Sequence, residues 1–367
     1  MEIKKILVTG EALFLERHQF LFKALSTHFE QLQFLPRTQE WYEARIPRML
    51  IKGIFAIRTS SLSKANALFQ KNHRAFILKS KRAEHEIRKL KDKPELVFHV
   101  FSTYSPFWEQ YDIPYVMYLD YTVALAERNW SPWVYFPNQK ERESWFKCEH
   151  QIYERAKHIF CMSYVVKKTL MQDYGIELNK ITVIGSSGDF LASCYENKNF
   201  GSQQILFNGS DFKRKGGDLV IAAFKKVKQA LPKAKLVIIG KKLPIEENDI
   251  ENPGHISQSD IHNIFFNTDL VVAPAYCDPF PTFLLEAMNY GIPCIVSAND
   301  GMPEIVEHNV NGIVIDQLTP ELLADHILNI LTNPGLTASM SQAARDKVRT
   351  KFNWNKIANE IVKTLST

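Results

Sequence analysis

Ile205-Leu-Phe-Asn-Gly-Ser-Asp-Phe-Lys-Arg-Lys-Gly-Gly217 begins as a short apolar run, turns through a loop of glycines and three cations, and leads into a helical pattern from Asp218 to Ala230. That order suits the phosphate-facing unit of a parallel α/β sheet, its other reading being a solvated basic turn. Backbone N–H groups and the helix dipole converge where the chain turns, so an anion is attracted there. Lys213, Arg214 and Lys215 add full charges, and such cations hold a pyrophosphate without a metal.

Outward from this stretch, short apolar runs alternate with longer amphipathic ones, the pattern of parallel sheets covered by helices on both faces. Before it, strands are expected at Ile3 to Val8, Leu32 to Leu35, Leu96 to Phe101, Tyr115 to Leu119, His158 to Met162 and Ile181 to Ile184. Within and after it they are expected at Ile205 to Asn208, Lys235 to Ile239, Leu270 to Ala273, Cys294 to Ser297 and Gly312 to Ile315. The fold class is therefore α/β, with two doubly wound Rossmann-like sheets facing a central cleft. Turn formers in Gly185-Ser-Ser-Gly-Asp189 and the polar run Asn197-Lys-Asn-Phe-Gly-Ser202 mark the break. The expected domains are 1–185, 186–350 and a closing helix in 351–367 that crosses back to the first domain.

A chain of 367 residues exceeds what one core usually supports, and 45% hydrophobic with 23% charged residues excludes a disordered or disulfide-stapled protein. No uninterrupted apolar window of membrane-spanning length occurs, and the N-terminus lacks a secretory pattern, so a cytoplasmic location is expected. The five cysteines, Cys148, Cys161, Cys194, Cys277 and Cys294, form no CxxC pair and read as reduced core residues. The net charge of +5 is too small to argue for nucleic acid.

That charge is unevenly spread. Residues 1–185 hold 28 Lys and Arg against 20 Asp and Glu, whereas the remainder holds 17 against 20. Most of the excess lies between Arg45 and Lys93, where 14 basic residues face 3 acidic ones among regularly placed apolar side chains. Such a stretch suits an anionic membrane surface, which places the protein peripherally on the inner face of a membrane. The other reading is helices whose basic side is merely solvated.

A second constellation is Asp269-Leu-Val-Val-Ala-Pro-Ala-Tyr-Cys-Asp-Pro-Phe-Pro-Thr-Phe-Leu-Leu-Glu-Ala-Met288, with a carboxylate at 278 in a loop and another at 286 in the following helix. Pro281 suits the first turn, leaving the N–H groups of Thr282 and Phe283 to face an anion. Glu286 sits among Leu284, Leu285, Ala287 and Met288, and a buried carboxylate needs a partner such as the two hydroxyls of a ribose.

In this order the motifs resemble the donor domain of glycosyltransferase family 4, retaining enzymes of the GT-B architecture. The resemblance covers roughly residues 150 to 365. It rests on the strand-glycine-loop-lysine element, Asp278-x7-Glu286, Gly291-Ile-Pro-Cys-Ile-Val296, Gly301-Met-Pro-Glu-Ile-Val306, Asn311-Gly-Ile-Val314 and Phe352-Asn-Trp354. It implies that Lys215 neutralises the donor pyrophosphate, with Gly209, Ser210, Lys213 and Arg214 around it. Glu286 would hold the ribose, Asp278 would lie beside the transferred sugar, and the backbone at His255 and Ile256 would meet the base. Asp120, after Tyr115 to Leu119, would orient the sugar or acceptor, its other reading being a helix cap. Gly10 and Glu11 stand where the family has a glycine pair. The chain departs from the pattern at Ser210, usually Arg; Asp278, usually Glu; Pro281, usually Gly; and Asp120, usually His.

The resemblance implies transfer of a sugar from a nucleoside-diphosphate sugar, with UDP, GDP or ADP as base carrier, to a hydroxyl of a glycan or lipid-linked acceptor, without a metal or other cofactor. A sugar-nucleotide epimerase of the same architecture and a catalytically silent sugar-nucleotide-binding assembly subunit are the alternatives.

Overall fold

The computed structural model describes residues 3–37, 45–70, 72–190, 194, 198–245, 247 and 249–366. Lys71 of the basic stretch and Asn197 of the expected linker lie outside the described residues. The chain divides into two compact units, Met1–Gly185 with Ile357–Thr367, and Ser186–Lys356.

The first unit is built on a six-stranded sheet of β1 (Lys5–Glu11), β2 (Gln31–Arg37), β3 (Leu96–Val100), β4 (Tyr115–Leu119), β5 (His158–Cys161) and β6 (Ile181–Val183). Its order is β2-β1-β3-β4-β5-β6, and every pairing is parallel. Helices cover both faces, so β3 and β4 are buried along their whole length. Leu7, Val97, Tyr115, Met117, Ile152 and Ile159 lie in one core cluster there.

The second unit repeats the plan with β7 (Gln204–Asn208), β8 (Lys235–Ile239), β9 (Ile250–Gly254), β10 (Leu270–Ala273), β11 (Cys294–Ser297) and β12 (Gly312–Ile315). The order is β12-β11-β10-β7-β8-β9, again parallel throughout. Ile205, Leu236, Val272, Ile295 and Ile313 join one core beneath the Gly217–Ala230 and Pro320–Thr332 helices.

Two readings of the sequence are corrected here. Ile250-Glu-Asn-Pro-Gly254 is a strand, although its composition hides it: it lies at the sheet edge, where Pro253 is tolerated, and its residues alternate between buried and exposed. β1 also continues through Gly10 and Glu11, which pair with Pro36 and Arg37 of β2 rather than following the strand as a loop.

In each sheet the chain winds outward one way and then returns to wind the other. The reversal falls between β1 and β3 in the first sheet and between β7 and β10 in the second. At such a switch point the loops leave the strands' carboxyl ends in opposite directions and open a crevice.

Candidate active site

The loops after β7 and β10 meet at the second switch point. The Tyr276 N–H donates to the Arg214 carbonyl at 2.9 Å, which ties the loops edge to edge. Gly216 precedes the helix in a left-handed conformation, φ +79°, and a Cβ there would lie 2.4 Å from the Pro274 carbonyl oxygen. Only glycine permits that approach.

This closeness gathers charges separated by 63 residues of chain. Lys215 Nζ donates to Asp278 Oδ2 at 2.8 Å, and Arg214 Nη1 lies 3.6 Å from the same oxygen. The buried Arg214 also donates to the Cys277 carbonyl at 2.5 Å and to Asp211 Oδ2 at 2.8 Å. Three of the sequence-designated residues therefore converge, while Lys213 points to solvent. The loop after β11 braces them. The Asp278 N–H donates to Asp300 Oδ2 at 2.9 Å, and Asn299 Nδ2 donates to the carbonyls of Ala275 and Tyr276 at 3.0 and 3.1 Å. Sequence reasoning did not single out Asn299 or Asp300. Asp300 holds a positive φ of 49°, a conformation Asp tolerates better than most residues.

Gly209 and Ser210 close the other side of the β7 loop. The Gly209 N–H donates to the Ile239 carbonyl at 2.8 Å, and a Cβ on Gly240 would stand 2.8 Å from the Ser210 nitrogen. Ser210 is exposed above this contact. His255 and Ile256 follow β9, two strands away from β7, with His255 exposed.

Glu286 occupies a separate place. It lies on the Thr282–Asn289 helix, whose N-cap is Pro281 rather than a first-turn proline. The Leu284 N–H is turned back to the Pro281 carbonyl at 3.0 Å, and the amides of Thr282 and Phe283 stand ahead of it. Glu286 Oε1 accepts from the Asp189 N–H at 3.3 Å. Burial pushes its carboxyl up to about 7, with the Asp189 amide opposing and the Asp189 charge adding to the rise. Gly188 and Asp189 form the wall behind Glu286: a Cβ on Gly188 would lie 2.6 Å from Glu286 Cγ. Trp354 Nε1 donates to the Gly188 carbonyl at 2.9 Å and Ser187 Oγ to that of Phe352 at 2.7 Å, which holds this wall from the far end of the sequence.

The first unit brings its own polar groups to the carboxyl end of its sheet. Glu11 is buried, with Lys79 Nζ at 3.7 Å. His99, opposite Thr9 in the register, is fully buried and held down to about 4 by that burial. Its Nε2 meets the Tyr104 carbonyl at 2.7 Å and so carries the proton, leaving Nδ1 to accept from Thr9 Oγ1 at 2.8 Å. Asp120 follows β4 but is not the cap of the next helix. Thr122 takes that position, accepting from the Leu125 N–H at 3.2 Å. Beneath them, the fully buried Glu149 accepts from Ser102 Oγ and Tyr153 Oη at 3.0 Å, from Tyr174 Oη at 2.5 Å and from the Val123 N–H at 3.2 Å. Burial raises its carboxyl against the pull of these donors. Glu149 fastens the loops after β3 and β4 together, a role that sequence reasoning missed.

Two parallel doubly wound sheets in two units define a protein of the GT-B architecture. Solved structures agree along nearly the whole chain. Sucrose-phosphate synthase of Thermosynechococcus elongatus is similar with a TM-score of 0.71 at 16% identity, covering 99% of this chain and 98% of that one. Anabaena HepE in complex with UDP is similar with a TM-score of 0.65 at 16% identity, covering 99% of each chain. Residues 195–347, within the second unit, match the family model for glycosyl transferases group 1. An uncharacterised glycosyltransferase of Methanocaldococcus jannaschii is 30% identical over 172 residues, 44% of this chain and 44% of its own. The chain spans about half the length of the curated relatives it matches.

Proposed function

We propose that the protein is a retaining, metal-independent glycosyltransferase that moves a hexosyl group from a nucleoside-diphosphate sugar to a hydroxyl of a glycan or lipid-linked acceptor, working peripherally at a membrane. The observation that carries this reading is the Lys215–Asp278–Arg214 cluster at the second switch point, within the stretch that matches the group 1 glycosyltransferase model. UDP is the favoured nucleotide on the likeness to HepE, whose structure holds it.

Breaking the bond between the anomeric carbon and the phosphate oxygen places negative charge on the leaving diphosphate. Lys215 and Arg214, with the amides of Thr282 and Phe283, are the groups that would stabilise it. Arg214 supplies the guanidinium that the family has at the position of Ser210. As that bond breaks, the acceptor oxygen bonds to the anomeric carbon from the same face. Its proton passes to the departing phosphate oxygen, so configuration is kept and no protein nucleophile is needed. Glu286 would accept from the ribose hydroxyls, and Asp120 would orient the sugar or acceptor.

A thermal-shift panel of UDP, GDP and ADP, followed by donor turnover with and without a chelator, tests this. Stabilisation by one nucleotide and chelator-insensitive release of it from its sugar are expected. Binding without release would instead indicate a silent subunit. Loss of turnover on chelation would remove metal independence.

A further inference from the structure

The first sheet has a switch point of its own, between β1 and β3, and charged residues gather at the carboxyl ends of the strands beside it. Glu11 and Arg37 stand opposite one another as the last pair in the β1–β2 register. The helix His73–Lys89 lays Lys79 against Glu11 at 3.7 Å and Glu86 against Arg37 at 2.6 Å. The loop after β3 adds Tyr104. His99 fixes it twice, by the Nε2 hydrogen bond to its carbonyl and by rings that meet edge to face with centres 4.8 Å apart. Burial raises the Tyr104 hydroxyl, with the Arg37 charge opposing and the Glu11 charge adding to the rise, so the phenol lies among these charges.

The cluster is short of acceptors. Tyr104 is 1% exposed, and neither its hydroxyl nor the buried Arg37 Nε has a hydrogen-bond partner among the described residues. Arg37 donates through Nη2, to the Glu86 carboxylate and to the Arg82 carbonyl at 2.9 Å. Lys79 stands beyond hydrogen-bond length from Glu11. Ammonium and guanidinium groups only donate, so the group that would complete this place carries acceptor oxygens. Buried donors left open are rare and destabilising, which marks the place as built for a partner. The side chains of Lys79 and Arg37 keep 10% and 15% of their surface in solvent, so the cluster opens outward. Glu86 is nearly half exposed and can turn to water at small cost when another anion takes Arg37.

We propose that Lys79, Arg37 and Tyr104 form a subsite for an oxyanion, phosphate or carboxylate, carried by the acceptor. Two oxygens of such a group match the planar fork of Arg37, and the ammonium and phenol complete its shell. Glu11 is the anion that keeps Lys79 in place until it arrives. The oxyanion site stands on the first unit alone, and only its assignment to the acceptor rests on the transferase reading above.

The test titrates inorganic phosphate and glucuronate separately into the full chain, followed by thermal shift and calorimetry. It is run on the parent and on Lys215→Ala, so that the cations of the β7 loop do not answer for the site. At least one anion should bind in both, the tighter naming the group as phosphoryl or carboxylate. Tyr104→Phe removes only the open hydroxyl. Its melting temperature without ligand should match or exceed the parent's, while affinity for the anion falls roughly tenfold. Arg37→Lys, which keeps the charge and loses the fork, should weaken binding to a similar degree. Failure of both anions to bind, binding lost in Lys215→Ala, parent-like affinity in Tyr104→Phe, or a lower melting temperature for that variant would overturn the proposal. UDP affinity should be the same in Tyr104→Phe as in the parent. A parent that binds the anion but no UDP would count against the donor reading and leave the oxyanion site standing.

Discussion

Lys215 Nζ and Asp278 Oδ2, 2.8 Å apart, join the loops on either side of the second sheet's switch point. The cation that would serve a pyrophosphate is thereby already aimed and already balanced. An arriving diphosphate exchanges one anionic partner for another instead of meeting an unpaired buried charge, whose desolvation would be costly.

Lys215→Ala should lower turnover by roughly 10²-fold or more at saturating donor, since the lost charge acts on the leaving group. Thermal unfolding should change little, because Arg214 still lies 3.6 Å from Asp278. Steady-state kinetics beside a melting curve decides; undiminished turnover would remove Lys215 from the phosphate site.

Glu286 should make nucleotide affinity depend on pH. The fold raises its carboxyl from an ordinary 4.5 to about 7, so its contribution to stability is full below 4.5 and is lost as pH rises through 7. The loss amounts to at most about 3 kcal/mol. Ribose hydroxyls donate best to the charged form, so UDP affinity should climb between about pH 6 and 8. Glu286→Gln should flatten both curves, and 2′,3′-dideoxy-UDP should bind parent and variant alike. Calorimetric titration at three pH values checks this, and an equally steep variant would make Glu286 structural.

Gly216→Ala should destabilise the protein by about 2 kcal/mol or more, combining a left-handed backbone with a Cβ placed 2.4 Å from the Pro274 oxygen. A denaturant titration measures it. Gly53→Ala, where a Cβ meets nothing, is the control and should be neutral or slightly stabilising in its helix.

Glu149→Ala should cost about 2 kcal/mol or more, since Ser102, Tyr153, Tyr174 and the Val123 amide lose a common acceptor in a buried place. Glu149→Gln, which keeps an acceptor oxygen, should recover part of that loss. Equal melting temperatures for Glu149→Ala and the parent would contradict the fastening role.

Strands buried on both faces, such as Tyr115–Leu119 and Cys294–Ser297, were legible because unbroken apolar runs mark them. β9 was not, because an edge strand with a proline and alternating exposure carries no such run. The loop chemistry at Lys215, Asp278 and Glu286 could be read from residue type and spacing. The contacts behind it could not. Gly188 looks like part of a turn until Glu286 is seen against it, and Asp300 acts on a backbone amide 22 residues away. The charge balance of the basic stretch was hidden for a related reason. The acids that neutralise Lys79, Lys81 and Arg88, namely Glu11, Glu109 and Asp112, lie outside it and reach it only through folding.

The outermost strands are poor templates for association. β2 and β9, each at one end of its sheet, carry Pro36 and Pro253, neither of which has a backbone N–H to give to a ladder. At the opposite ends β6 is three residues long and β12 four. All four borders are thus either interrupted or too short to propagate a ladder into a neighbouring molecule. Such blunt margins leave the sheets little means of joining edge to edge with another copy of the chain. Any clumping it does show should be dissolved by mild detergent rather than seeded by fibrils.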